Sequence, residues 1–189
     1  MSESTNAEGS GRIGMEAPVK VVDYDQNWPL LFEGEKARIL SVIAKKVVAV
    51  EHIGSTAVPD LGAKPIIDIM VGICHLSDAQ DCIEPLEAIG YEYAPEYENS
   101  IPERRYFRKG PSNVPNKHYH LHMVEYSGDF WRRHLLFRDY LRAHPHVAKE
   151  YYRLKKELAA KYRSDREAYT EAKTLFIESI VAKASGSNL

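Results

Sequence analysis

Two cysteines in 189 residues are too few to make a disulfide framework. Cys74 and Cys82 sit where small core residues would serve, and both read as reduced thiols with no catalytic part. No apolar run approaches the roughly 20 residues of a membrane span, and the N-terminus lacks the apolar centre of a secretory signal. A cytoplasmic protein with no membrane partner is therefore expected. An excess of one charge is missing too. The chain carries 25 Lys and Arg against 27 Asp and Glu, a net charge of −2, which removes any general attraction to nucleic acid. A polyanion would have to be held by a local cluster. No GK[ST] tripeptide occurs, which excludes a Walker phosphate loop. There is no internal repeat and no domain boundary.

What remains is an ordinary globular composition, 44% hydrophobic and 28% charged, of a length that suits one domain with a full core. Residues 1–17, rich in Ser, Gly and Glu, read as a disordered tail, residues 18–184 as the single domain and 185–189 as a flexible end. Val19 to Val22 is expected to be a short edge strand. Pro29 suits the first turn of a helix running to about Lys46, with Asp25 and Trp28 fixing how it starts. Ser77 to Ala88 reads as a helix crossing a sheet, with Pro85 a local irregularity, and Tyr91 to Ala94 as a short strand. After Asp129 the pattern is helical throughout. One helix is expected to about Ala143, a break at His144-Pro145, a second helix from Val147 to Tyr162, and a third from Ser164 or Asp165 to about Ala184. Their apolar stripes read as core packing. Alternation of helix and strand to about Val124, then helix alone, predicts an α+β fold.

The densest functional signal lies between Val50 and Ile73. Val48 to Ile53 reads as a strand, and Gly54-Ser55-Thr56 then allows a sharp turn that presents N–H groups and two hydroxyls without bulk, which suits a phosphate. Lys64 adds a compact positive charge. Ile66 to Ile73 is an apolar run broken only by Asp68 and Gly72, the pattern of a strand buried on both faces. A carboxylate on such a strand needs a metal ion, a base or hydrogen-bond donors around it, because an unpaired buried charge costs several kcal/mol.

Two later strands add side chains of the same kind. His118 to Val124 alternates so that His118, His120 and His122 share one face and Tyr119, Leu121 and Met123 the other. In Arg104 to Gly110 the alternation separates Arg105, Phe107 and Lys109 from Arg104, Tyr106 and Arg108, and Arg105 with Lys109 is the set expected in the pocket. Arg138 and Arg142 read as solvated or structural, and the pairings of Arg138 with Asp139 and of Lys155 with Glu157 as ties between helices.

The chain resembles the GrpB family from about Val21 to Ala182. The likeness runs through the YDxxWPxxFExE opening (Tyr24, Asp25, Trp28, Pro29, Phe32, Glu33, Glu35), HIGSTAVP, AKPIIDI, RRYFRKG, HLH and FRDYLRAHP, and ends in DREAYTEAKT. The resemblance implies a nucleotidyltransferase-like mixed β-sheet covered by helices with a C-terminal helical segment. It also implies a site in which Gly54, Ser55 and Thr56, with Lys64, Arg105 and Lys109, hold the phosphates of a nucleoside triphosphate. In that superfamily two carboxylates two residues apart hold the metal ions, and here Met70 stands where the second belongs. A thioether is a poor magnesium ligand. His120 and His122 are the candidates to fill the gap beside Asp68, so these three are the expected catalytic and metal-ligating residues, with magnesium, manganese or zinc as the ion. His52 is a further candidate for either arrangement. Two functions stay open. One is transfer of a nucleotidyl or phosphoryl group to a small molecule or protein acceptor, and the other is a catalytically inactive nucleotide- or metabolite-binding domain.

Overall fold

The computed structural model describes residues 20–110, 119–163 and 165–186. Val47–Ile53 (β1), Ile67–Ile73 (β2), Glu92–Tyr93 (β3), Arg104–Lys109 (β4) and Tyr119–Glu125 (β5) form one sheet in the order β1-β2-β5-β4-β3. β2 and β5 are parallel, and every other neighbouring pair is antiparallel, so the sheet is mixed as expected. β2 lies between β1 and β5 with every residue buried except Asp68. That explains its apolar run: a strand paired on both edges and covered on both faces has no polar side to show.

Period-two alternation divides the sheet into two faces. Ile69, Val71, Phe107, Leu121 and Met123 point to one of them. There they meet Phe32, Ile39 and Ile43 of the helix Trp28–Ile43 (α1) and Cys82 and Leu86 of the helix Gln80–Ala88 (α2). Each large side chain buried in this layer is worth roughly 1.5–3 kcal/mol of transfer free energy. α1 starts as the sequence suggests, with Pro29 in its first turn and Asp25 accepting the Asn27 backbone N–H at 2.9 Å. Pro85 sits inside α2, where it removes one helical hydrogen bond without ending the helix.

The other face carries Asp68, Met70, His120, His122, Tyr106 and Arg104. The helical half of the chain covers it: Asp129–Ala143 (α3), Pro145–Tyr162 (α4), Arg166–Glu171 (α5) and Thr174–Gly186 (α6). Trp131 of α3 packs on Ile53, Met70 and Val124. Leu141, Val147, Tyr151 and Ile180 close over Val58 and Leu61 of the connection between β1 and β2. Among the described residues no helix is long and apolar enough to cross a membrane.

Several boundaries differ from the expectations. Val22 keeps a single bridge to Ala63 instead of a full edge strand, and Val19 and the tail 1–17 lie outside the described residues. α1 stops at Ile43, and a 3-10 turn, Ala44–Lys46, precedes β1. A similar turn, Leu76–Ala79, precedes α2. The helix expected from 164 to 184 is two helices. Asp165 caps α5 by accepting the Ala168 N–H at 3.0 Å. At Ala172 the backbone N–H is shared between the Ala168 and Thr170 carbonyls, which tightens the last turn, and α6 then runs on to Gly186.

Candidate functional site

Gly54 ends β1 with φ +70° and ψ −172°, a conformation that glycine alone adopts without strain. A Cβ there would overlap the Asp68 carboxylate and come within 3.1 Å of its Cβ and Cγ. Glycine at 54 thus serves the turn and also the close approach of the loop to Asp68, its partner across the β1–β2 ladder from Ile53.

Asp68 sits opposite His120 in the register of β2 and β5, and the structure brings the three predicted residues together. Its Oδ1 lies 3.4 Å from His120 Nδ1 and 3.8 Å from His122 Nε2. The Asp68 side chain is 29% exposed, so it faces a cleft rather than the core. Burial alone pushes its carboxyl up, but the pull of both imidazoles outweighs that and holds it well below the usual carboxylate range.

Arg104, on the strand set that was not expected in the pocket, fixes the tautomer of His122. Its Nη1 lies 3.0 Å from His122 Nδ1. A guanidinium has only donors, so Nδ1 must accept, and the single ring proton is then on Nε2, facing Asp68. Burial pulls His122 down to about 4 against the attraction of Asp68, with Arg104 adding to the lowering, so the ring is neutral at physiological pH.

This arrangement does not suit the metal set Asp68, His120 and His122. A metal would need the Nε2 lone pair of His122 and would turn an Nδ1–H against the Arg104 guanidinium, whereas metal-bound imidazoles normally give that proton to an acceptor. Met70 is fully buried against Ile53, Val124 and Trp131, so it has no part in the cleft. Among the described residues no three His, Cys, Asp or Glu side chains form a ligand cluster.

Two clefts meet at Ser55, Asp68 and Lys173. The first, of about 300 Å³, is lined by Lys64, His120, Lys155, Tyr169 and Thr170 as well. Lys64 and Lys173 lie over the Tyr169 ring, 4.5 and 4.3 Å from its centre. Lys155 is 3% exposed and donates to the Gly62 carbonyl at 2.5 Å. Burial, then the Lys173 charge, brings Lys155 down to about 7; burial, then Lys64, brings Lys173 down to about 8 although Asp68 opposes it. Burial is thus the larger cause for both amines, and the charge of a neighbouring lysine adds to it. The second cleft, of about 510 Å³, adds Arg104, His122, Arg133 and His134, and an apolar wall from α3 and α6.

Lys64 and Ser55 therefore line the cleft, as does Thr56 with its hydroxyl turned inward, but Arg105 and Lys109 do not. Thr56 is 1% exposed and its hydroxyl donates to the Ile66 carbonyl at 3.1 Å. It accepts in turn from His52 Nε2, 3.0 Å away, and His52 stacks on Phe32 in the core and is lowered to about 4 by burial. Both are anchors of the loop. Arg105 and Lys109 share their face with Phe107, away from Asp68: Arg105 pairs with Glu98 at 3.4 Å and Lys109 with the buried Glu35 of α1 at 2.6 Å. Alternation separates the two sets of β4 but cannot say which faces the cleft. His118 lies outside the described residues. Lys155, expected to pair with Glu157, donates to Gly62 instead, and neither it nor Lys173 was placed in the site by the sequence. The available signal was a lysine inside the apolar stripe of Tyr151 and Leu158, where a solvated charge would not belong. Arg138 keeps its expected structural role, tying α3 to Glu51 of β1 at 2.6 Å.

The model of the GrpB protein family matches residues 18–183. The UPF0157 protein YqkA of Bacillus subtilis is 41% identical over 160 residues, which cover 85% of this chain and 45% of YqkA, so the chain spans less than half of that relative. The glutamate-rich protein GrpB of Alkalihalophilus pseudofirmus is 40% identical over 166 residues, 86% of this chain and 94% of the relative. The crystal structure of GrpB from Enterococcus faecalis superposes with a TM-score of 0.80 at 36% identity, covering 89% of this chain and 99% of that one.

Proposed function

The chain belongs to the GrpB family, and on that footing we propose that it binds the phosphates of a small molecule, of the nucleoside triphosphate class, in the cleft around Ser55 and Asp68. One observation carries this reading: Lys64, Lys155 and Lys173 converge beside the Gly54–Ser55 turn with Asp68 the carboxylate lining that cleft, in a chain whose net charge is −2. Two of these amines are held near their titration points by burial first and by a neighbouring lysine second, and a phosphate would favour their charged forms. Binding of this kind needs no divalent ion. The protein is then a nucleotide- or metabolite-binding domain in which the lysines replace the metal as the source of positive charge.

A second reading, transfer of a nucleotidyl or phosphoryl group, is favoured by the pairing of Asp68 with His120. The carboxylate faces Nδ1, which leaves Nε2 as the ring nitrogen available to take a proton from an acceptor hydroxyl. Calorimetric titration with ATP separates the two readings. Binding in EDTA that is little changed by magnesium, and weakened about ten-fold by Lys173→Ala, is the result expected of the binding domain. Binding that requires magnesium or manganese, with pyrophosphate (nucleotidyl transfer) or ADP (phosphoryl transfer) released in proportion to enzyme and lost in His120→Gln, would establish transfer instead.

A further inference from the structure

The second cleft has a polar end and an apolar end, and the apolar end is built from two facing helix stripes. Phe130, His134 and Phe137 recur at helical spacing on α3, and Ile177 and Val181 do so on α6. Beside the packed α3–α6 pair a cavity remains that joins the lysines through Ser55, Asp68 and Lys173. Its volume, about 510 Å³, lies in the range of small-molecule sites and exceeds what a few phosphate groups would fill.

His134 gives this end one directed polar atom. Its ring is stacked on Phe130 with centroids 3.9 Å apart, and its Nδ1 donates to the Phe130 carbonyl at 2.7 Å. The proton is therefore on Nδ1, and burial, with the Arg104 and Arg133 charges, lowers the group so that the ring stays neutral. The lone pair on Nε2 points away from the helix backbone that holds Nδ1. The structure gives it no donor among the described residues.

Resting on the anion-binding reading of the lysine cleft, we propose that the α3–α6 end holds a flat ring joined to the phosphate-bearing group, and that His134 Nε2 accepts a hydrogen bond from a donor on that ring. The ring lies between Phe137 and Ile177, and its N–H or amino group meets His134. The ligand is then a heteroaromatic nucleotide and not a sugar phosphate or inorganic phosphate, because neither of those would cover the apolar stripes or need them.

The test compares ATP, GTP, CTP and UTP with inorganic triphosphate, all titrated in EDTA. At least one nucleotide is expected to bind about ten-fold or more tightly than inorganic triphosphate. His134→Phe keeps the ring and its stacking but removes the acceptor. It should erase most of that gain and leave inorganic triphosphate within about two-fold of wild type, whereas a merely structural role would change both. His134→Gln, whose amide oxygen can accept, should restore part of the gain. Ile177→Trp fills the cavity from α6 and should act on nucleotides alone, which keeps the test available if His134→Phe does not fold. The proposal is overturned if inorganic triphosphate binds but no nucleotide exceeds it, or if a nucleotide's gain survives both His134→Phe and Ile177→Trp. Failure of inorganic triphosphate to bind at all would instead strike the anion-binding reading beneath it.

Discussion

The two faces of the sheet are built from the same five strands and contrast in every other respect. On the α1–α2 face Ile69, Val71, Phe107, Leu121 and Met123 are fully buried among apolar neighbours. On the α3–α6 face the neighbouring positions carry Asp68, His120, His122 and Arg104, under helices that leave a cleft. A strand residue moved one position along would change from a stability element to a cleft-facing one. The first face holds the molecule together, and the second spends part of that stability on keeping charges out of water.

The largest expected effect tests that division directly. Leu121→Ala should lower unfolding free energy by about 3 kcal/mol, while His120→Ala, its neighbour on the cleft side, should change it by less than about 1 kcal/mol. Urea denaturation measures both, and equal losses would end the distinction between the faces.

Acid should come next in size. His52 on the first face and His122 on the second are both lowered to about 4 from an ordinary 6.5. Below pH 6.5 the unfolded chain takes up protons that the folded chain refuses until about pH 4, so stability falls through that window and levels off beneath it. The loss for the pair is on the order of a few kcal/mol. Asp68 adds nothing there, because a depressed carboxyl loses its contribution only below about pH 4, where the unfolded carboxyl protonates. Thermal melts from pH 7 to pH 4 on His52→Gln and on wild type would show whether the core histidine carries its share of the slope.

Gly54→Ala is expected to cost roughly 1–3 kcal/mol, since alanine must adopt a glycine backbone conformation and also push the Asp68 carboxylate aside. Triphosphate affinity should fall with it. A variant with normal stability and normal affinity would mean that the loop relaxes freely away from Asp68.

Affinity for inorganic triphosphate should itself decline as pH rises from 7 to 9, because Lys155 and Lys173 lose protons at about 7 and about 8 and a neutral amine attracts no anion. A loss of about ten-fold over that range is the expected scale for one charge. Lys173→Met should bind more weakly at every pH and show a shallower decline. Smallest of all is Arg105→Ala. Its pair with Glu98 is at the surface, so stability should change by less than about 1 kcal/mol and triphosphate affinity by less than about two-fold. A large loss of affinity would return Arg105 to the site.

By itself the sequence determined the local terms of this protein. The apolar run of β2, broken only by Asp68 and Gly72, read as a covered strand, the glycine of GST as a turn, and the alternation of His-Tyr-His-Leu-His separated imidazoles from core residues before any partner was known. Alternation also put Asp68 and the two histidines on faces that could meet, while the parallel register that sets Asp68 opposite His120 came from the structure. Tertiary structure alone decided which of the two β4 faces looks into the cleft, since a period of two is symmetric until one side is covered. It also decided that Thr56 and His52 anchor the loop, that burial keeps His122 neutral while Arg104 fixes its tautomer, and that Lys155 and Lys173 come from 100 and 118 residues beyond Ser55 to the Gly54–Ser55 turn. Those contacts rest on helix packing across the sheet, and no local pattern encodes the distance between charges that only the packing brings together.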